Sequence, residues 1–195
     1  MSSVAHYIAD GAPAPIDSWG WKNKALPAIH MPRNVSRLSL LLREVRVERL
    51  HDISEADAIA EGVEPVRYDP EGDCWTATEA ARITPHRVAY EYLWNEINGW
   101  DPNAWNANPW VWVLGFEVLE PQRTGRPIIF SAPMVRALLA GRKTQTRRIF
   151  KPQPANGSRP HGWGSVEAGR GAWVRCPFGK PGDRLYCREG VRRNA

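Results

Sequence analysis

The chain has 195 residues, of which 43% are hydrophobic and 24% charged, a composition that excludes a disordered or fibrous protein and fits one soluble domain of ordinary size. No run approaches the ~20 apolar residues of a membrane span, and residues 1–10 lack the basic and apolar regions of a secretion signal, so a cytoplasmic location with no membrane partner is expected. The net charge of +5 favours a polyanionic partner, because cations that neutralise phosphates gain from counterion release.

Residues 35–47 read as a long strand. Val35, Leu38, Leu40, Leu42, Val45 and Val47 alternate with polar residues, and the phase slips at Arg43 and Glu44. Ser54 can cap a short helix that Gly62 ends. The stretch 65–77, rich in Pro, Gly, Asp and Glu, reads as a loop. Thr84-Pro85 opens a second helix with Val88, Ala89, Tyr92, Leu93 and Ile97 on its packed side and Gly99 at its end. Residues 110–119 are almost continuously apolar and predict a strand buried on both faces over much of its length.

Residues 121–125, Pro-Gln-Arg-Thr-Gly, have linker character, and a strand over 128–130 follows. A helix over 133–140 is terminated by Gly141, and a basic, threonine-containing strand runs over 143–150. Residues 152–172 form a long loop. Pro181-Gly182 suits the centre of a type II turn before a strand over 185–188. Short strands, few helices and long loops predict an α+β fold, a small mixed barrel plugged by helices.

Cys74, Cys176 and Cys187 form no C-x-x-C pair and are expected to be reduced. A zinc site from Cys176, Cys187 and His161 matches no standard ligand spacing, so neither metal nor other cofactor is expected. Five of the ten tryptophans, Trp19, Trp21, Trp100, Trp105 and Trp163, sit among Gly, Pro and Asn, where stacking surfaces and caps for the ends of a barrel are equally served.

Residues 141–148, Gly-Arg-Lys-Thr-Gln-Thr-Arg-Arg, directly after a helix, resemble the G-R-K-T-x-T signature of the ASCH family, small PUA-like barrels of bacteria and phages. Cys176-Pro-Phe-Gly-Lys-Pro-Gly-Asp-Arg-Leu185 with Arg188-Glu189 is similar to a second block of phage-type members. Ile29-His-Met-Pro-Arg33, Asp52-Ile-Ser-Glu55 with Ala58-Ile-Ala-Glu-Gly62, and Asn108-Pro-Trp-Val-Trp112 resemble the remaining ones. Their order is exchanged. Residues 1–120 resemble the family's C-terminal part and 126–195 its N-terminal part, joined by 121–125, as in a circular permutation of a single domain spanning 1–195. A fusion of two gene fragments is the rival origin.

The best-understood small members of the family are amidohydrolases that remove the acetyl group from acetylcytidine with a lysine, a threonine and a glutamate. The resemblance places these on Lys143, Thr146 and Glu61. A threonine hydroxyl is a weak nucleophile that a lysine amine of lowered pKa can deprotonate, and a glutamate can orient the lysine or relay a proton to the leaving amine. The resemblance also puts His30, Arg33, Trp112 and Glu189 among the substrate-binding residues, with Arg142, Arg147, Arg148 and Lys151 as phosphate contacts. Positions 143 and 146 of a regular strand face opposite ways, so convergence requires irregular backbone, for which Gly141 supplies a place. Three activities stay open: acyl hydrolysis on a modified cytidine nucleoside, nucleotide or RNA, non-catalytic binding of RNA or nucleotide, and RNA cleavage. No obligate protein partner is implied.

Overall fold

A computed structural model describes residues 5–14, 24–64, 85–99, 103–122, 124–154, 165–168 and 172–193. In chain order its strands are β1 (Ala5–Tyr7), β2 (Pro13–Ala14), β3 (Ala25–Leu26), β4 (Ser39–Arg49), β5 (Trp110–Leu119), β6 (Arg126–Ile129), β7 (Gln145–Ile149), β8 (Ser165–Ala168), β9 (Ala172–Arg175), β10 (Arg184–Arg188) and β11 (Val191–Arg193). Its α-helices are α1 (Glu55–Ala60), α2 (Pro85–Asn98) and α3 (Ala132–Leu139), joined by short 3-10 turns. This is a small α+β fold with few helices. No helix among the described residues is long and apolar enough to cross a membrane.

The chain divides into two compact units, one of Met1–Glu44, Gly115–Gly141 and Cys176–Ala195, the other of Val45–Leu114 and Arg142–Arg175. Because β4 and β5 are long, each contributes its residues to both.

In the first unit β1 lies between β2 and β11, and β11 also pairs with β3. Ala5, Tyr7, Ala14, Met31, Val35 and Val191 form the core beneath these strands. β10 pairs antiparallel with β4 and parallel with β6, in the register Leu185↔Arg126 to Arg188↔Ile129. The linker-like 121–125 ends at a constrained point. Gly125 has φ +107, and a Cβ there would lie 2.3 Å from the Arg184 carbonyl oxygen, so only glycine lets the chain enter β6 beside β10. Gly182, at φ +92, occupies the left-handed position of the expected turn, which Asp183 N–H closes onto the Lys180 carbonyl at 2.9 Å.

In the second unit β5 runs beside β4 and β7, and β8 and β9 form a separate antiparallel ribbon. Trp110 to Leu114 are all buried, as the apolar run predicts for a strand covered on both faces. α1 packs on α2 and β7. The core here is Leu50, Ile53, Ala58, Tyr90, Trp94, Trp105, Val111 and Val113.

Local signals place the termini of elements well. Ser54 caps α1 by accepting from Asp57 N–H at 3.0 Å, and Gly62 and Gly99 end α1 and α2 with positive φ. Four expectations need correction. The strand expected from Val35 starts at Ser39, because Arg33–Val35 coil into a 3-10 turn after Pro32. The slip at Arg43 and Glu44 does occur: both are exposed between buried Leu42 and Val45. The packed face of α2 is Ala89, Tyr90 and Trp94, with the Tyr90 ring against Trp94 and edge-on to Trp105, whereas Tyr92 and Ile97 are more than half exposed. Trp105 itself is buried with His51 against it at 4.8 Å, so it caps a core rather than offering a surface. The expected loop at 152–172 is interrupted where it is described: Ser165–Ala168 form β8, paired with β9, which begins at Ala172. Cys74, Thr84, Trp19, Trp21, Trp100, His161 and Trp163, the loop at 65–77 and the rest of 152–172 apart from 152–154 lie outside the described residues.

Candidate functional site

The second unit encloses a cluster of charges that begins at the end of α1. Gly141, at φ +70, stops α3, and the following turn is tied to α1 by the Thr144 N–H, which donates to the Ala60 carbonyl at 2.8 Å. This single bond fixes Lys143 beside the helix end. Lys143 Nζ donates to the Glu61 carbonyl oxygen at 2.7 Å and to Glu61 Oε2 at 2.8 Å. Their side chains are 1% and 3% exposed. Two residues 82 positions apart, both named by the sequence, are thus brought into direct contact.

Beyond Lys143 the backbone is extended, and residues 143, 145 and 147 lie on one side of it. Gln145 Nε2 donates to Asp57 Oδ1 at 3.1 Å. Arg147, with its side chain fully enclosed, reaches Glu61 Oε1 at 3.3 Å through Nη1, and Glu48 and Asp57 through Nη2. Arg46 closes the outer edge on Glu48 and Asp57, each at 3.1 Å. Thr146 is 4% exposed between Gln145 and Arg147, and strand alternation assigns its side chain to the other face of β7.

Burial pushes the Lys143 ammonium below the usual lysine range, against the pull of Glu61 and with help from the positive Arg148 and Arg147. Arg147 goes the opposite way. Burial works against its charge, but Glu61, Tyr90 and Glu48 hold it ionised. Burial also lifts the Tyr90 phenol well above its ordinary value.

Asp57 supplies a testable consequence. Burial alone would raise its pKa, yet hydrogen bonds from Ser54, the charge of Arg147 and the Gln145 amide lower it to about 2. A carboxyl whose folded pKa lies below its unfolded value contributes stability that is complete above about pH 4 and is lost as pH falls toward 2. Asp57→Asn should therefore cost on the order of 2 kcal/mol at pH 7 and much less at pH 2.5. Urea titrations at both values check this, and equal losses at the two would show that the ion pairs are not its source.

The other expected binding residues are placed differently. Arg142 is exposed and pairs with Glu64 at 3.2 Å, Arg148 is half-buried, and Lys151 is exposed. Arg147 is a correction: its enclosed guanidinium is taken up by buried Glu61 and by the partly exposed Glu48 and Asp57, so it is not an open phosphate clamp. Trp112 is also corrected. It is 1% exposed and packs on Phe150 with ring centroids 5.1 Å apart, which removes it from the surface.

His30, Arg33 and Glu189 belong to the first unit. Glu189 is an interior partner rather than a ligand contact, bound in a fork by Arg37 at 2.8 and 2.9 Å. Arg33 is exposed, lies over the Tyr186 ring at 4.7 Å and donates to the Gly125 carbonyl. His30 is exposed at the end of a 3-10 turn. A cleft of about 500 Å³ in this unit is lined by Tyr7, Arg33, Asn34, Ser36, Arg37 and Gln122 among others. Several of its polar groups bond inward, Tyr7 Oη to the Val35 carbonyl, Ser36 Oγ to the Cys187 carbonyl and Arg37 to Asp10 and Glu189.

Sequence reasoning missed Glu48, Asp57, Arg46 and Gln145. Arg46 and Glu48, two apart on β4, are a same-face ion pair, and Asp57 sits at the N3 position of a capped helix. Those local roles hid the shared one. No group of three or more His, Cys, Asp or Glu among the described residues is arranged to hold a metal ion. Comparisons with protein-family models, curated proteins and solved structures gave no match.

Proposed function

We propose that this chain is a circularly permuted ASCH-type protein with a PUA-like barrel, and that it hydrolyses an acyl group from the exocyclic amine of a cytidine nucleoside, nucleotide or RNA. The observation that carries the reading is the enclosed contact between Lys143 and Glu61. A surface lysine would be an ordinary cation, whereas burial lowers this one toward the neutral form that general-base chemistry needs.

In the proposed reaction Thr146 Oγ, once turned from the other face of β7 toward Lys143, attacks the acyl carbonyl carbon, and neutral Lys143 takes the hydroxyl proton on its lone pair while its two N–H groups keep their donations to Glu61. The carbon–nitrogen bond then breaks. The cytosine amine leaves with a proton returned from the Lys143–Glu61 pair, and water hydrolyses the threonine ester to release the acid and restore the hydroxyl. Thr146 holds the nucleophile's role through the resemblance, while Lys143 and Glu61 are supported by resemblance and contact together. Arg142, within the sequence motif, and Lys151, just after it, are both exposed and suit a phosphate-bearing substrate.

A non-catalytic RNA- or nucleotide-binding module is the second reading, and the enclosure of Lys143 favours it, because substrate can meet Nζ only after neighbouring groups move. Incubation with acetylcytidine and with acetylcytidine-containing RNA separates the readings. Release of cytidine supports the hydrolase, tight RNA binding without product supports the module, and strand scission would replace both with RNA cleavage.

A further inference from the structure

The two oxygens of Glu61 are divided between two cations: Oε2 accepts from Lys143 Nζ at 2.8 Å and Oε1 faces Arg147 Nη1 at 3.3 Å. Arg147 is in turn fixed from behind by Glu48 and Asp57, and its side chain is wholly enclosed. A carboxylate held only by Lys143 could rotate away from it. One clamped through its other oxygen is held in place, and the clamp is a permanent cation, because an arginine cannot give up its proton in a protein.

Resting on the hydrolase reading, we propose that Arg147 is a positioning residue that acts through Glu61, holding this carboxylate turned toward Lys143 and setting a permanent positive charge beside the pair. The groups that set the balance come from every element around it: Glu48 from β4, Asp57 and Glu61 from α1 and its end, Tyr90 from α2, and Arg147 and Arg148 from β7. Arg147 adds positive charge near Nζ, and Glu48 offsets part of it.

The signs of two substitutions are therefore opposite. Arg147→Gln removes a positive charge and should raise the Lys143 pKa by ~1 unit or more. Glu48→Gln leaves Arg147 less compensated and should lower it by a smaller amount. Arg147→Lys keeps the charge and should restore most of the wild-type value. A purely structural role would lower thermal stability in these variants without moving the lysine's titration in opposite directions.

The readout is the pH titration of the Lys143 ¹³Cε signal in lysine-labelled full-length protein, identified by its loss in Lys143→Met, without substrate. Opposite shifts in Arg147→Gln and Glu48→Gln support the proposal, and an unmoved titration in folded Arg147→Gln overturns it. If Arg147→Gln does not fold, Glu48→Gln decides alone, and a Lys143 pKa that stays fixed or rises overturns it. The acid limb of kcat/KM against pH on acetylcytidine should follow the same shifts. Shifts without any turnover would leave the arginine's role standing and remove the hydrolase reading, whereas turnover with an immobile acid limb would do the reverse.

Discussion

Lys143→Ala and Thr146→Ala are each expected to lower kcat for acetylcytidine hydrolysis by roughly 10²–10⁴-fold, the range that general-base assistance contributes. The double variant should be little worse than either single one, because a base without its nucleophile, or the nucleophile without its base, already lacks the step they perform together. Glu61→Gln should fall in the same range, since an amide keeps the volume but cannot hold the charge between Lys143 and Arg147. Loss of fold is the confounding effect. Removing one partner of a buried ion pair costs about 3–5 kcal/mol when the other is stranded. Here Glu61 keeps Arg147 when Lys143 is truncated, so Lys143→Ala should remain folded, as circular dichroism would show. Multiplicative losses in the double variant would show independent roles and dismiss the unit. Full turnover in Thr146→Ala would assign the attack to water and leave Lys143 as its base.

What the sequence made legible follows from how local each cause is. Gly141 at positive φ, the Ser54 cap and the Gly182 turn depend on neighbours within a few residues, and the pattern of types identifies them. The Lys143 to Glu61 contact spans 82 residues, and a family resemblance, not periodicity, pointed to it. Glu48 and Asp57 had no such pointer. Each carries a complete local explanation, one as the strand partner of Arg46 and the other as a capping carboxylate, so nothing in the chain marks them as companions of Arg147. Arg147 shows the converse error. An arginine beside another in a basic run suggests a solvated cation, and only the three-dimensional placement of three acids turns it inward. For α2, helical spacing selected the stripe with Tyr92 and Ile97, while the structure buries Tyr90 and Trp94, whose contact partners include Trp105, outside the helix. Trp94 Nε1 is satisfied by donating to the Asn103 carbonyl at 2.8 Å.

Trp112→Ala is expected to be the most destabilising single change in the second unit's sheet, at about 3–5 kcal/mol, the usual cost of truncating a large aromatic in a packed core. Trp112 lies in the fully buried stretch of β5, 1% exposed, and its ring meets Phe150, which is itself 0% exposed. Phe150 is fixed in turn, its N–H donating to the Trp110 carbonyl at 3.0 Å, so the surrounding backbone is poorly placed to close over the space an alanine would leave. A cavity that cannot collapse gives the upper part of the range. Trp112→Phe keeps a ring against Phe150 and should cost about half as much or less. Urea denaturation of the two variants measures the difference. As a stacking platform for a base, Trp112 would instead stand clear of the core: its alanine variant would keep wild-type stability and lose nucleic-acid affinity, a change worth about 1–3 kcal/mol per stacked base. That result would return Trp112 to the binding residues and contradict its burial against Phe150.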